Sequence, residues 1–179
     1  MTALVAPSLS VLPAQRPAPR AEETTPAVGP MPWLTATGRL DQVLTAWSRG
    51  HLAEAPVGVG FAVLQVPGPL AVDTVRRLQE AGRRVGPVLL APVGGEFLVE
   101  RGSAPTLPGG CLLRPGALVL LPPPTVCVPE RVAARGWLVP PCLETGAPLC
   151  AEVTPGGALL APYLAAVAHA EDAAREVTP

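Results

Sequence analysis

The sequence predicts an α/β (α+β) domain built on a mixed sheet, with a helix at each end. Three consecutive segments carry this prediction: an apolar run at Val59–Val66, a segment of helical spacing that begins near Pro69, and a second apolar run at Val85–Ala91. Both apolar runs have the length of buried strands. The order strand, helix, strand is that of a βαβ unit, whose crossover is almost always right-handed.

Composition limits both the core and the chemistry. The chain has 179 residues, of which 49% are hydrophobic but only 3% aromatic, so its core must consist mainly of Leu, Val and Ala. The formal charge of −1 provides no basic field that would hold a polyanion. All 13 basic residues are arginine. Functions that need a catalytic or phosphate-binding lysine are therefore excluded.

Composition also predicts the domain boundaries. Residues 1–32 are rich in Pro and Ala and predict a disordered leader, followed by a single domain at 33–176 and a tail at 177–179. Pro7 and Pro13 interrupt the apolar residues of the leader, which makes it a poor signal peptide. No run approaches the roughly 20 apolar residues that cross a bilayer. We therefore expect a cytoplasmic protein without membrane association.

Helical spacing appears on both sides of the central unit. Apolar residues recur between Leu40 and Trp47, and Gly50 is expected to end that helix, with His51 as a solvated or capping residue just beyond it. The last helix is expected to start near Leu159–Ala161, because proline is tolerated in the first turn and Pro162 follows.

The remaining strands follow the βαβ unit in short runs. Gly94-Gly95 predicts a tight turn that pairs Val85–Ala91 with Glu96–Val99 as a hairpin. Further strands are predicted at Cys111–Leu113, Ala117–Leu121 and Gly136–Val139.

Candidate metal ligands are sparse. The spacing of Cys111, Cys127, Cys142 and Cys150 matches no zinc motif, so we interpret these residues as small buried thiols, although the spacing leaves a disulfide open. Only two histidines, His51 and His169, are available. Glu96 and Glu100 lie on the same side of one predicted strand, where they would form a solvated face or, as the less favoured alternative, bind a metal.

No common catalytic motif is present. Gly58-Val59-Gly60 precedes a strand instead of following one, which argues against a dinucleotide-binding turn. The three aspartates lie on predicted helices or at their ends. A two-metal site for nucleotidyl transfer needs carboxylates held together on a rigid framework, and the run Phe61–Pro67 has none.

The order of segments resembles the N-terminal domain of bifunctional DNA primase/polymerases, the prim-pol domain of the archaeo-eukaryotic primase superfamily. The resemblance covers roughly Leu34 to His169. It rests on the run GFAVLQVPGPLAVDTVRRLQEAGRRVGPVLLAPVGGEFLV, on GALVLLPP at 116–123, and on GWLVPP at 136–141 before the closing helix. Each motif is weak by itself, and the specificity lies in the order and spacing.

The resemblance implies a fold but not an activity. Active members carry two acids on the central strand, a later histidine and a third acid, which together hold divalent metal and the nucleotide. The matching positions here are Ala62 and Gln65, then Gly95-Glu96-Phe97, then the region of Arg114. No catalytic residue and no metal ligand can be transferred, and only Glu96, Glu100 and Arg114 remain as occupants of the cleft.

Three functions follow as alternatives. The first is a catalytically degenerate prim-pol-like module that associates with nucleic acid or with another protein, without a cofactor. The second is an active primase/polymerase that uses Mg²⁺ or Mn²⁺ through displaced carboxylates such as Glu96, Glu100 and Glu144. The third is a small α/β interaction domain unrelated to nucleic acid, which docks through Pro122–Pro124 and Pro140–Pro141.

The partner would differ between these alternatives. For the first function it would be single-stranded DNA or a replication or regulatory protein. Four arginines of the central helix region are candidates for nucleic-acid contact, although a solvated helix face is the simpler interpretation. They are Arg76, Arg77, Arg83 and Arg84.

Overall fold

The structure, a computed structural model, describes residues 31–141 and 152–176. The helices are α1 (Pro32–Thr35), α2 (Leu40–Ser48), α3 (Gly68–Glu80) and α4 (Leu160–Glu176), the last preceded by a 3₁₀ turn at Gly156–Ala158. The strands are β1 (Ala53–Pro56), β2 (Ala62–Val66), β3 (Val88–Ala91), β4 (Gly94–Val99), β5 (Cys111–Leu112), β6 (Leu118–Leu121) and β7 (Gly136–Val139).

The described strands form two sheets. A five-stranded sheet has the order β5-β2-β4-β3-β7, and β1 pairs with β6 in a separate ribbon. The predicted α/β (α+β) class is confirmed. The expected mixed pairing is corrected, because every ladder among the described strands is antiparallel. Within residues 31–141 and 152–176, parallel pairing is limited to isolated bridges such as the one between Val99 and Thr154.

The βαβ unit is present in a split form. β2 and β3 run in the same direction because both pair antiparallel with β4, which lies between them. The hairpin prediction is also confirmed, but its loop is Pro92-Val93, and Gly94 and Gly95 belong to β4. Gly95 is needed there, since a Cβ atom would lie 2.1 Å from the Cβ of Ala71. This contact allows α3 to pack closely on the centre of the sheet.

Two apolar clusters cover the two faces of the large sheet. On one face, α3 and α4 bury Leu78 and Tyr163 against β2, β3 and β4. On the other face, α1, α2 and the β1–β6 ribbon pack against residues such as Leu98 and Trp137. The domain therefore has three layers, with the five-stranded sheet in the middle. No helix in the described residues combines the length and the apolar content that a membrane span needs.

The helix ends follow the sequence signals closely. Gly82 has a φ of +63°, its N–H bonds to the carbonyl of Gln79, and the N–H of Arg83 bonds to the carbonyl of Leu78. This is a Schellman motif, and Gly50 ends α2 in the same way. By contrast, β1 was not predicted, because Glu54 and Pro56 are residues that strands disfavour. The strand forms through its pairing with the distant β6.

A tight two-residue turn lies in the long connection between β6 and β7. Val132 and Arg135 exchange two backbone hydrogen bonds of 2.9 Å, and the two residues between them, Ala133 and Ala134, have φ values of 46° and 62°. Positive φ at both central positions defines a type I′ turn, which normally carries Asn-Gly. In this conformation the Cβ atom of alanine lies too close to the following carbonyl oxygen, which is energetically unfavourable.

We predict that replacing Ala133-Ala134 by Asn-Gly stabilises the protein. Ala134→Gly removes the steric clash of the Cβ atom, which destabilises the folded state by about 1 kcal/mol. The free energy of unfolding, measured in urea, should therefore rise by roughly that amount. The control is Ala165→Gly inside α4, which should lower the same free energy by about 0.5–1 kcal/mol. A loss of stability in the turn variant would show that the alanines are not strained.

Candidate functional site

Glu96 is the buried charged residue around which the candidate site is built. Its side chain is 1% exposed. Its Oε1 accepts a hydrogen bond from Nε2 of Gln65 at 3.0 Å, and its Oε2 accepts one from Nη1 of Arg135 at 2.8 Å. Nη2 of Arg135 also donates to Oε1 at 3.3 Å. Both carboxylate oxygens are therefore occupied by donors.

Three parts of the fold bring these groups together. Gln65 on β2 lies directly opposite Glu96 on β4 in the antiparallel ladder, so their side chains leave the sheet on the same face. Arg135 follows the tight turn and precedes β7. Its Nη1 also donates to the carbonyl of Leu120 on β6 at 3.2 Å. The guanidinium thus links the centre of the large sheet to the β1–β6 ribbon.

The arrangement favours a charge-neutral polar cluster over a metal site. A buried carboxylate that is paired bidentately with arginine has its charge compensated and its lone pairs used. To ligate a cation, Glu96 would first have to lose Arg135. Across residues 31–141 and 152–176, no three Asp, Glu, His or Cys side chains cluster closely enough to hold a metal ion.

The other two cleft candidates lie elsewhere on the domain. Glu100 is exposed just past the end of β4, and four residues of strand place it about 13 Å from Glu96 along the chain. Arg114 is exposed in the turn between β5 and β6. The expected solvated face is thus correct for Glu100 and wrong for Glu96, because the pairing with Gln65 and Arg135 buries that carboxylate. Glu144 lies outside the described residues.

The arginines proposed for nucleic-acid contact are mostly paired with acids. Arg76 bonds to Asp73 and Glu80, Arg77 bonds to Asp73 at 2.9 Å, and an exposed contact of 3.4 Å joins Arg84 to Glu152. Burial acts to raise the pKa of Asp73, but the hydrogen bonds from Arg77 and Arg76 outweigh it and leave that pKa below its usual value. These contacts fit the solvated helix face better than a phosphate-binding surface.

The cysteines and histidines contribute no built site within the described residues. Cys111 is an exposed thiol, which corrects the expectation that it is buried, and Cys127 is half-buried, with its pKa raised by desolvation and by Glu130. Cys142 and Cys150 lie outside the described residues. His51 and His169 are exposed, at the end of α2 and on α4 respectively.

The proline-rich segments do not form the exposed docking surface that the third alternative requires. Pro122–Pro124 and Pro141 are buried and Pro140 is half-buried. The indole Nε1 of Trp137 donates to the carbonyls of Pro122 and Pro123, at 3.0 and 3.1 Å. These prolines therefore serve the packing of β7 and are not available to a partner.

Sequence reasoning missed Arg135 and the role of Gln65. A signal existed at Glu96, since a charged residue inside an apolar strand is almost never buried without a partner. That signal gives no location for the partner. Arg135 lies 39 residues away in an irregular connection, and nothing in its local sequence marks it.

We predict that Arg135→Met destabilises the protein by about 3–5 kcal/mol, because it leaves a buried carboxylate without its counter-charge. The double variant Glu96→Gln/Arg135→Met should recover a large part of this loss. Urea unfolding of both single variants and the double variant measures the coupling free energy. Arg76→Met, which removes the exposed ion pairs with Asp73 and Glu80, is the control and should lower the free energy of unfolding far less than Arg135→Met does. Additive effects of the two substitutions would contradict the ion pair.

Comparisons of the chain with protein-family models, with curated proteins and with solved structures found no match. The resemblance to prim-pol domains therefore stays a prediction from the order of segments.

Proposed function

We propose that the protein is a prim-pol-like domain without metal-dependent nucleotidyl transfer, which acts as an interaction module. The observation that carries this proposal is the engagement of Glu96. Its carboxylate, the candidate acid nearest the centre of the large sheet, accepts hydrogen bonds from Arg135 and Gln65 instead of facing an open cleft.

The chemistry of nucleotidyl transfer explains why this arrangement matters. Two divalent cations about 3.5–4 Å apart must be held by carboxylates that converge from a rigid framework. In this protein, the side chain opposite Glu96 is the amide of Gln65, and the adjacent positive charge is the guanidinium of Arg135. A guanidinium that is paired with the buried carboxylate stabilises it, but it cannot ligate a divalent cation or activate a nucleophile.

An active enzyme with displaced carboxylates is the alternative. It would use Glu96, Glu100 and Glu144 with Mg²⁺ or Mn²⁺. Glu100 lies four positions after Glu96, a rise of about 13 Å along an extended chain, which is well beyond the separation of two bridged metal ions. The ion pair between Glu96 and Arg135 would also have to open before a metal could bind.

We predict no primer synthesis or template-directed extension by the full chain with nucleoside triphosphates and Mn²⁺. A thermal-shift titration with a triphosphate, with and without Mn²⁺, should show no metal-dependent rise in Tm. Binding at 100 times the dissociation constant would add about 2.7 kcal/mol of stability, which such a titration detects readily. Extension that disappears in the Glu96→Gln and Glu144→Gln variants would establish the active enzyme instead.

Single-stranded DNA is the second candidate partner. Arg77 and Arg83 both line a groove of about 580 Å³ between the C-terminal end of α3 and the N-terminal end of α4. Arg83 has no carboxylate partner among the described residues, whereas Arg77 is held by Asp73. A local phosphate contact at Arg83 is therefore compatible with the overall charge of −1.

We expect DNA binding to be weak and to depend on Arg83 more than on the paired arginines. Fluorescence anisotropy with a labelled oligothymidylate at low salt should give an affinity that Arg83→Gln lowers about fivefold, as for loss of one exposed ionic contact. Arg76→Gln is the matched control and should change the affinity less, because Arg76 is already paired with Asp73 and Glu80. If Arg83→Gln and Arg76→Gln lower the DNA affinity equally, the groove is not a specific phosphate-binding site.

A further inference from the structure

An open apolar groove lies at the free edge of the five-stranded sheet. β5 is one of the two edge strands of the sheet in the described part of the chain, and β7 is the other. Beside it is a groove of about 510 Å³, a volume typical of ligand sites. We call it the β5 groove; its apolar lining includes Val57, Ala62, Leu112, Leu113 and Pro115. Leu112 is 50% exposed although it is a large aliphatic residue.

The same edge offers backbone hydrogen-bonding groups. The N–H of Leu113 donates to the carbonyl of Val63 on β2 at 2.9 Å. Because successive residues of a strand alternate the side to which their N–H and C=O point, those of Leu112 are directed away from β2. The carbonyl of Leu112 has only a long contact, 3.8 Å, from the thiol of Cys111. An added strand would find both groups accessible.

Arg101 is the one charged residue that lines the groove in the described part of the chain. Its Nη1 donates to the carbonyl of Val59 at 3.0 Å, which holds the guanidinium beside the groove. No carboxylate pairs with Arg101 within residues 31–141 and 152–176. Charge complementarity therefore favours an occupant that carries a carboxylate close to an aliphatic side chain.

We propose that the β5 groove binds an extended, acidic-aliphatic peptide segment of a partner protein. The segment adds to β5 as a further strand, places an aliphatic side chain in the groove, and directs a carboxylate to Arg101. The inference rests on the proposed interaction role and names its surface and its ligand class. A nucleic acid fits less well, because the lining is predominantly apolar and holds one cation.

The test begins with a random heptapeptide library displayed on phage and panned against the full chain. Enriched peptides are synthesised, and their affinity is measured by fluorescence anisotropy. We expect sequences that combine an aliphatic residue with Asp or Glu. Leu112→Asp should weaken their binding about tenfold or more, through loss of apolar burial, and Arg101→Gln about fivefold.

Two matched substitutions control for non-specific effects. Val93→Asp changes an apolar residue that is 67% exposed in the β3–β4 loop, and Arg131→Gln changes an exposed arginine between β6 and β7. Both should leave the affinity within about twofold of the original. If Leu112→Asp lowers Tm severely, amide chemical-shift changes in the unaltered protein replace it, and they should centre on Leu112 and Arg101.

The possible outcomes separate this inference from the proposed function. If the peptides bind both groove variants with unchanged affinity, the β5 groove is not their binding site. The proposed interaction module would then use another surface. Failure to enrich any peptide over panning on the Leu112→Asp protein, or enrichment of basic peptides, would also overturn the β5 groove as the binding site. Catalytic extension in the nucleotide assay would overturn the proposed function, whatever the peptides do.

Discussion

A carboxylate buried in a protein interior must be compensated, and in this domain the requirement falls on Glu96. The compensation comes from Arg135, 39 residues further along the chain, and from Gln65 on the neighbouring strand. Since Arg135 also bonds to Leu120, one guanidinium connects β4, β6 and the segment that leads into β7. The connection between β6 and β7 is therefore tied to the sheet by charge as well as by the packing of Trp137.

The two faces of the large sheet depend on different contacts. On the helical face, Gly95 lets Ala71 approach the sheet, so α3 lies directly over β4. On the opposite face, the β1–β6 ribbon covers the sheet, and the Glu96 cluster lies on that side with Leu98 and Trp137. The cluster thus belongs to the interior between two sheets, where low polarity makes an ion pair rigid and makes exchange for a hydrated cation costly.

This location shapes the functional conclusion. The fold keeps a carboxylate near the centre of its sheet but surrounds it with donors, while the free edge at β5 keeps an apolar groove, open backbone groups and Arg101. Metal binding at Glu96 would require the ion pair with Arg135 to break, whereas the β5 groove is already open in the described part of the chain. This difference supports the proposed interaction role over the catalytic alternative.

The sequence by itself determined the class of the fold and most of its elements. Local signals such as the glycine at the end of α3 and the apolar runs of β2, β3 and β7 are short-range, and each is interpretable from its neighbours. The absence of acids from the β2 segment was equally evident from the sequence. Glu96 was identified as a candidate, but it was assigned to a solvated face, and its burial was not predicted.

Only the tertiary structure decided how these pieces meet. The insertion of β4 between β2 and β3, the pairing of β1 with β6, and the choice of Arg135 as partner of Glu96 all depend on contacts between distant segments. The exposure of Leu112 and the lone charge of Arg101 beside it are likewise properties of the assembled edge. Such contacts are selected by the sum of packing and charge compensation across the whole domain, which no local pattern records.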